Sequence, residues 1–487
     1  MSTSPPSSRL PVAALAVLAL LGNACAVGPS FHRPPAPPVS QYTSGGDPRE
    51  SIPARGAVQR FTPGGPLAAD WWKLFGSHEL EAVIDEALAR NPQLKAAQAS
   101  LRASEYDLRA GYGVFFPQAQ AQASAIRQRA TPLKFGENLP ASLFNLFTLS
   151  ASVNYALDVF GGERRTIEAL GAQRDVARAS ERATYLALTA NVANTVIAAA
   201  AYRAEIDATH ELIEMQSEQV RLAEVQARAG TLAYSGVLGL RSQLATSQAQ
   251  IPQLEQKLTQ SEDLLATLCG HVPAELAPLR VRLADFTLPA ELPVSVPSDL
   301  VRQRPDILAA EATAHAASAE VGVATAAMLP SIELSGTYSA NSLTTQHLLD
   351  PQGRAWSAGG ELTAPLFQGG TLWYHRKSAA SAYEQALAQY RQTVLTAFAQ
   401  VADTLKALEH DAQVLAAEDD ALAAAQEALH LTQANYQAGL ATYLDVLTAD
   451  GQFHEAQIAD VQALAQRYQD TVALYVALGG GWWNARH

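Results

Sequence analysis

Cysteine is almost missing from this chain of 487 residues: there are two, Cys25 and Cys269. Two thiols exclude a disulfide framework, and neither belongs to a pair with metal-ligand spacing. Long hydrophobic runs are missing as well. Apolar residues make up 48% of the sequence, yet no window of eighteen consecutive apolar residues occurs, so no transmembrane helix is expected in the mature protein. Positive charge is in short supply: 34 Lys and Arg against 47 Asp and Glu leave a formal net charge of −13. That balance argues against nucleic acid as a partner and suits a well-solvated surface. A phosphate-binding glycine loop and a serine, histidine and aspartate in a nucleophile setting are also absent. His210-Glu211-Leu212-Ile213-Glu214 begins like a zinc-protease helix, but its fifth residue is Glu214 where the second histidine ligand belongs. It reads as a solvated helical face. No catalytic residue, metal ligand or cofactor is expected, and the chain does not read as an enzyme.

Proline is missing from two long stretches, between Gly162 and Gly230 and between Gly370 and Gly439. In the second, apolar residues recur every seven: Leu387, Val394, Val401, Leu408, Leu415, Leu422, Leu429 and Tyr436. Seven residues are close to two helical turns, so this stripe stays on one slowly turning face, the signature of coiled coils. At about 1.5 Å per residue such a helix is roughly 100 Å long and needs partner helices along its whole length. A shift of 209 residues brings the stripe back as Tyr185, Val192, Ala199, Ile206, Ile213, Val220 and Ala227, ending at Gly230. The chain therefore holds two copies of one very long helix.

The rest of the chain repeats too. Pro92 and Pro117 are 25 residues apart, and so are Pro305 and Pro330. A proline tolerated at a helix start but not inside one makes Asn91-Pro92 and Arg304-Pro305 junctions between helices. After Pro117 and Pro330 the period changes to two. Gln118, Gln120, Gln122 and Ser124 alternate with alanines, and Thr148, Ser150, Ser152 and Asn154 alternate with Phe147, Leu149, Ala151, Val153 and Tyr155. The second half shows the same alternation through Ile332, Leu334, Gly336 and Tyr338 and again through Trp356 to Leu366. These are strands with one apolar and one wet face. Phe160-Gly161-Gly162 and Phe367-Gln368-Gly369-Gly370 break them and release the long helices. An aromatic cluster, Trp71-Trp72 with Phe75, is expected to pack the first helix onto the body, and Cys269 to be a small buried hydrophobe.

At the N-terminus, Arg9 precedes an apolar run from Val12 to Leu21 and the small residues Gly22, Asn23 and Ala24, as in an export signal. Prolines at 29, 34, 35, 37 and 38 then suggest a stiff, extended tether. The expected organisation is a signal peptide over 1–24, an anchor and tether over 25–70, a first repeat over 71–298 and a second over 299–487. The first repeat holds strands near 117–127 and 147–159, a long helix over 163–229, a return helix over 235–268 with a kink or an irregular turn at Pro252, and a connector. The second holds strands near 330–340 and 356–367, a long helix over 371–438, a return helix over 443–478 and a C-terminal tail.

Strands of about ten residues suit an outer-membrane barrel, apolar toward lipid and polar toward a watery interior. Four strands cannot close a barrel, and an open sheet edge is not tolerated in lipid. If the strands lie in a membrane, the chain is an oligomer. Two other readings remain: a periplasmic helical scaffold whose strands form an ordinary sandwich, and the same channel fold serving protein (type I) secretion. Detergent-free extraction separates the scaffold from the barrel.

The paired proline intervals, the Phe-Gly-Gly turns, Gly439 with Tyr443, Val446 and Leu447, and the ending Ala477-Leu478-Gly479-Gly480-Gly481-Trp482 together resemble the outer-membrane efflux proteins (TolC-like channel-tunnels). Cys25-Ala26-Val27-Gly28-Pro29 resembles the start of their lipoprotein branch, which serves resistance–nodulation–division efflux systems, although Gly22 stands where such acylation sites usually carry leucine. The resemblance implies a mainly α protein with a membrane β-barrel: a homotrimer whose barrel of twelve strands, four from each chain, sits in the outer membrane above a long α-helical barrel. It implies outer-membrane lipid, a periplasmic adaptor and an inner-membrane resistance–nodulation–division pump as partners, and passive conduction of drugs or other small molecules. It implies lipidation at Cys25. It also implies that the helix turns, marked by Gly230 with Tyr234 and by Gly439 with Tyr443, form a periplasmic tip that is constricted when idle. By motif position Asp445 matches the family's gate aspartate and Tyr436 a tyrosine near the constriction. Thr448 stands where a second aspartate is frequent, and Ala441 where some members carry a basic residue. Arg241 and Asp450 hold equivalent places in the two halves and are candidates to pair between neighbouring helices at this gate.

Overall fold

The computed structural model describes residues 26–55, 58–130, 141–275 and 279–484; Cys25 and the segment 1–24 lie outside them. The strands in chain order are β1 (Arg60–Pro63), β2 (Gln118–Ala130), β3 (Ser142–Leu157), β4 (Glu291–Val294), β5 (Ser331–Ser342) and β6 (Arg354–Thr363). The helices are α1 (His78–Arg90), α2 (Pro92–Gly111), α3 (Gly162–Arg228), α4 (Tyr234–Leu268), α5 (Pro297–Gln303), α6 (Pro305–Ala326), α7 (Thr371–Gln437) and α8 (Tyr443–Ala477). α3 and α7 are each 67 residues long, and α4 and α8 each 35. Local chemistry sets the shorter boundaries. Asn91 Oδ1 accepts from Leu94 N at 2.9 Å and starts α2, while Pro92, Pro297 and Pro305 each open a helix where no N–H is needed. α4 passes through Pro252 as one helix.

The chain forms two compact units, and neither follows the repeat boundary. One contains Leu101–Val176, Ala310–Tyr390 and the described part of Met1–Arg33; the other contains Pro34–Ser100, Ala177–Ala309 and Arg391–His487. Each draws on both halves of the sequence.

The first unit holds an antiparallel sheet in the order β2-β3-β5-β6, in which β3 of one half pairs with β5 of the other. Its register sorts the side chains. Ala121 is opposite Ala151, Ala151 opposite Tyr338, and Tyr338 opposite Trp356. On alternate rungs Gln120 is opposite Ser152, Ser152 opposite Thr337, and Thr337 opposite Ser357. Because side chains alternate with period two, one face is mainly aliphatic and aromatic across the four strands and the other mainly polar. The division ends beyond the Ser124–Thr148 rung, where Ile126 is opposite Leu146 on the polar side and Arg127 opposite Asn145 on the apolar side. Thr148 Oγ1 donates to Asn341 Oδ1 at 2.9 Å on the polar face. β3 begins at Ser142, five residues before the alternation suggests, since Leu143, Phe144 and Asn145 already pair with Arg129, Gln128 and Arg127.

The second unit has a continuous apolar core. Trp71 and Phe75, both fully buried, join Val192, Val196 and Ile197 of α3, Val401 and Leu408 of α7, and Val472 and Tyr475 of α8. Trp71 stacks on Tyr475 with ring centroids 5.4 Å apart. The heptad stripe is the packed face: Val394, Val401, Leu408, Leu415 and Leu429 are buried. One apolar window of α3 is long enough to cross a membrane by composition, but most of it is buried in this unit. The expected tether is not free along its length. β1 runs parallel to β4, Arg60 opposite Glu291 through Pro63 opposite Val294, which satisfies backbone groups that would otherwise lie bare beside the core. The same segment completes a buried polar site. Arg467 is fully buried and donates to Gln59 Oε1 at 3.1 Å, Ser51 Oγ at 3.2 Å and the Ala54 carbonyl at 3.3 Å.

Candidate gate at the hairpin turns

Both long helices end in the same way. Gly230 and Gly439 adopt φ of +76° and +75°, a left-handed conformation that costs any other residue energy. Gly230 N donates to Ala227 O at 3.1 Å and Thr231 N to Gln226 O at 3.0 Å. Gly439 N donates to Tyr436 O at 3.0 Å and Leu440 N to Asn435 O at 2.8 Å. These paired bonds are Schellman closures, and they satisfy the last carbonyls of α3 and α7.

The two turns then diverge. α8 starts with a capping box: Thr442 Oγ1 accepts from Asp445 N at 3.3 Å, and Asp445 Oδ2 accepts from Thr442 N at 2.7 Å. The bonds from Thr442 hold the exposed Asp445 carboxyl below the usual carboxylate range. At the corresponding start of α4 stand Ala233 and Gly236, and no side chain caps it.

The tyrosines tie the second hairpin to α3. Gln226 Nε2 donates to Tyr436 Oη at 3.0 Å, and Tyr443 Oη donates to Gln219 Oε1 at 2.9 Å. The two rings meet edge to face with centroids 5.6 Å apart. Tyr443 and Leu447 also pack against the buried Val220, Ala223, Val237 and Leu240. Tyr234, the counterpart of Tyr443, is exposed, as are Leu440 and Leu444 at the second turn.

Arg241 and Asp450 are not brought together within the chain. Arg241 Nη2 reaches Glu224 Oε1 of α3 at 2.5 Å on the surface. Asp450 is fully buried, with Gln216 of α3 opposite it. Equivalent positions in the repeat thus face different surroundings: one hairpin turns this position to solvent, the other turns it inward. Periodicity passed over Gln216, Gln219, Gln226, Glu224 and His454. Gln219 and Gln226 stand seven apart beside Val220 and Ala227 of the stripe, which is the one signal that marks them.

Cys25 lies outside the described residues, but the chain just after it is held firmly. Val27 N donates to Phe160 O at 3.0 Å, and Arg165 Nε donates to the Val27 carbonyl at 3.1 Å. Phe31 stacks on His315 at 4.6 Å, and His315 and Arg165 both reach Glu168, at 2.9 and 2.7 Å.

Comparison with known proteins agrees with this layout. The family model described as outer membrane efflux protein matches residues 83–271 and 296–480. The chain is 32% identical over 425 residues to the pyoverdine export outer membrane protein OpmQ of Pseudomonas aeruginosa, covering 85% of this chain and 88% of that one. It is 28% identical over 475 residues to the toluene efflux pump outer membrane protein TtgC of Pseudomonas putida, covering 96% and 95%. Among solved structures the outer-membrane channel OprN superposes with a TM-score of 0.84 at 27% identity, over 94% of this chain and all of that one. The chain belongs to the outer membrane efflux protein family.

Proposed function

We propose that three copies of this chain form an outer-membrane channel that carries small molecules outward for an inner-membrane pump, which hands them over through a periplasmic adaptor. The observation that carries this reading is the sheet. Its four strands are mainly apolar on one face and mainly polar on the other, and among the described residues β2 and β6 each pair on one side only. Such edges need partners in lipid, and the smallest closed barrels have about eight strands. Three chains supply twelve, with the polar faces lining the pore. A scaffold has no use for a sheet divided in this way. The names of the relatives, pyoverdine export and toluene efflux, favour small molecules over secreted proteins as cargo.

Two finer assignments belong to this reading. Cys25 carries the lipid anchor once 1–24 is removed, and the clamp on Val27 supports it by holding the start of the mature chain against the Phe160 turn. The turns at Gly230 and Gly439 form the periplasmic gate, with Tyr436 behind it and Asp445 presented by its capping box. Three Asp445 carboxylates around a narrow axis favour cations. Recordings from the trimer in planar bilayers test this: a cation-selective pore is expected, and Asp445→Ala should lessen the selectivity while the trimer persists. A reconstituted trimer that never conducts contradicts the channel. Unaltered selectivity and conductance in Asp445→Ala would remove that residue from the constriction.

A further inference from the structure

Asp450 and His454 stand one turn apart on the same face of α8, just beyond the tyrosine contacts of the second hairpin. Asp450 is 0% exposed, His454 7%, and Gln216 of α3 2%. Neither oxygen of Asp450 and neither ring nitrogen of His454 makes a well-formed hydrogen bond, and Gln216 Oε1 has no partner either. Buried polar atoms in folded proteins are nearly always paired. An aliphatic side chain at 450 would hold this seam more tightly. The repeat shows that burial is not obligatory at this place, because Arg241, the equivalent residue, lies on the surface with its charge met by Glu224. The second hairpin therefore keeps two ionisable groups where only their uncharged forms are tolerated.

We propose that Asp450 and His454 form a proton-operated latch on the seam between α3 and α8, tight when both side chains are neutral and loosened when either is charged. The proposal deepens the gate reading of the hairpin turns and rests on it.

Burial acts on the two groups in opposite directions. It pushes the Asp450 carboxyl up from 3.8 to about 6, against a smaller lowering by Gln216. It pushes the His454 imidazole below its ordinary 6.5, and the neighbouring Glu455 opposes this weakly. From α3 the group facing Asp450 is Gln216, which carries no charge. On α8 itself Tyr443 feels the Asp450 carboxylate, but burial raises its own hydroxyl well above the working range. From α7 Tyr436 packs on Tyr443. The signs follow by linkage. A carboxyl raised in the tight seam favours that seam at low pH, and the advantage disappears as pH rises through about 6. An imidazole lowered in the tight seam opposes its own protonation, so acid loosens the seam. The two groups therefore pull against each other. As pH falls through about 6, Asp450 tightens the seam while His454 loosens it. As pH rises toward 6.5, His454 tightens it while Asp450 has nothing left to give, so each dependence stands clear only when the other group is removed. The rise of the Asp450 carboxyl from 3.8 to about 6 corresponds to on the order of 100-fold per chain in the ratio of tight to loose forms.

Hydrogen exchange on the detergent-solubilised trimer from pH 5 to 8, corrected for the intrinsic rate, reads the seam through peptides from 205–225 and 443–460. His454→Gln leaves the carboxyl alone, so exchange should climb as pH rises through about 6. Asp450→Asn leaves the imidazole alone, so exchange should fall as pH rises toward 6.5, and the wild type should vary less than either. If Asp450→Asn does not assemble, adding Gln216→Glu to His454→Gln should move the carboxyl's limb to higher pH, since two facing carboxyls share a proton. Exchange that is flat with pH in the single variants, or slopes of the same sign in both, overturns the latch. Channel open probability of the same variants over the same pH range separates the two readings: exchange that follows the latch while open probability stays constant supports the latch and removes the gate.

Discussion

Replacing Arg467 with methionine keeps most of the side-chain volume but takes a buried charge out of the second unit. The guanidinium is fully buried and makes three hydrogen bonds, to Gln59, Ser51 and Ala54. It also acts on Asp411, whose carboxyl is pushed up to about 7 by burial and by its hydrogen bond with Asp470, with Arg467 pulling the other way. Breaking a buried charged contact by removing one partner costs about 3–5 kcal/mol, and the acceptors left unpaired account for most of that. We expect Arg467→Met to lose about 3–5 kcal/mol per chain. The loss depends on pH. Asp411 has a raised pKa in the fold, so its contribution is fully present below 3.8 and is lost as pH rises through about 7. Without Arg467 the carboxyl rises further, so the variant should suffer more at pH 8 than at pH 5. Thermal unfolding at one scan rate and in one detergent, at both pH values, reads the difference, and adding Asp411→Asn should abolish it. A loss below about 1 kcal/mol, or equal losses at the two pH values, would refute this account of the buried site.

The turns and the anchor give further expectations. Gly439→Ala meets no atom within 4 Å, so its cost is the left-handed backbone alone, about 1–2 kcal/mol. A neutral result in thermal unfolding would show that φ is not why glycine is there. Cys25→Ser should abolish palmitate incorporation and leave the protein in the membrane. Wild-type protein that stays unlabelled under palmitate feeding would remove the anchor and leave the channel.

Much of the architecture is legible because it is periodic. The seven-residue stripe, the 209-residue shift and the alternating strands each follow from a geometric repeat, and Val401, Leu408 and the Tyr338–Trp356 rung fall where those repeats put them. The pairing of β1 with β4 is hidden because its residues are short, proline-containing and over two hundred positions apart. Asp450 is hidden for a different reason. The repeat equates it with Arg241, and only the lateral packing of α8 on α3 decides which of the two is buried. Hydrogen-bond partners such as Gln219 and Gln226 depend on the same packing, which a stripe on a single helix does not specify.

The central claim is that the sheet in one chain is a third of a barrel. Light scattering on the detergent-solubilised protein tests it most directly. The account predicts three chains per particle, and a stable monomer that keeps its strand content would contradict it.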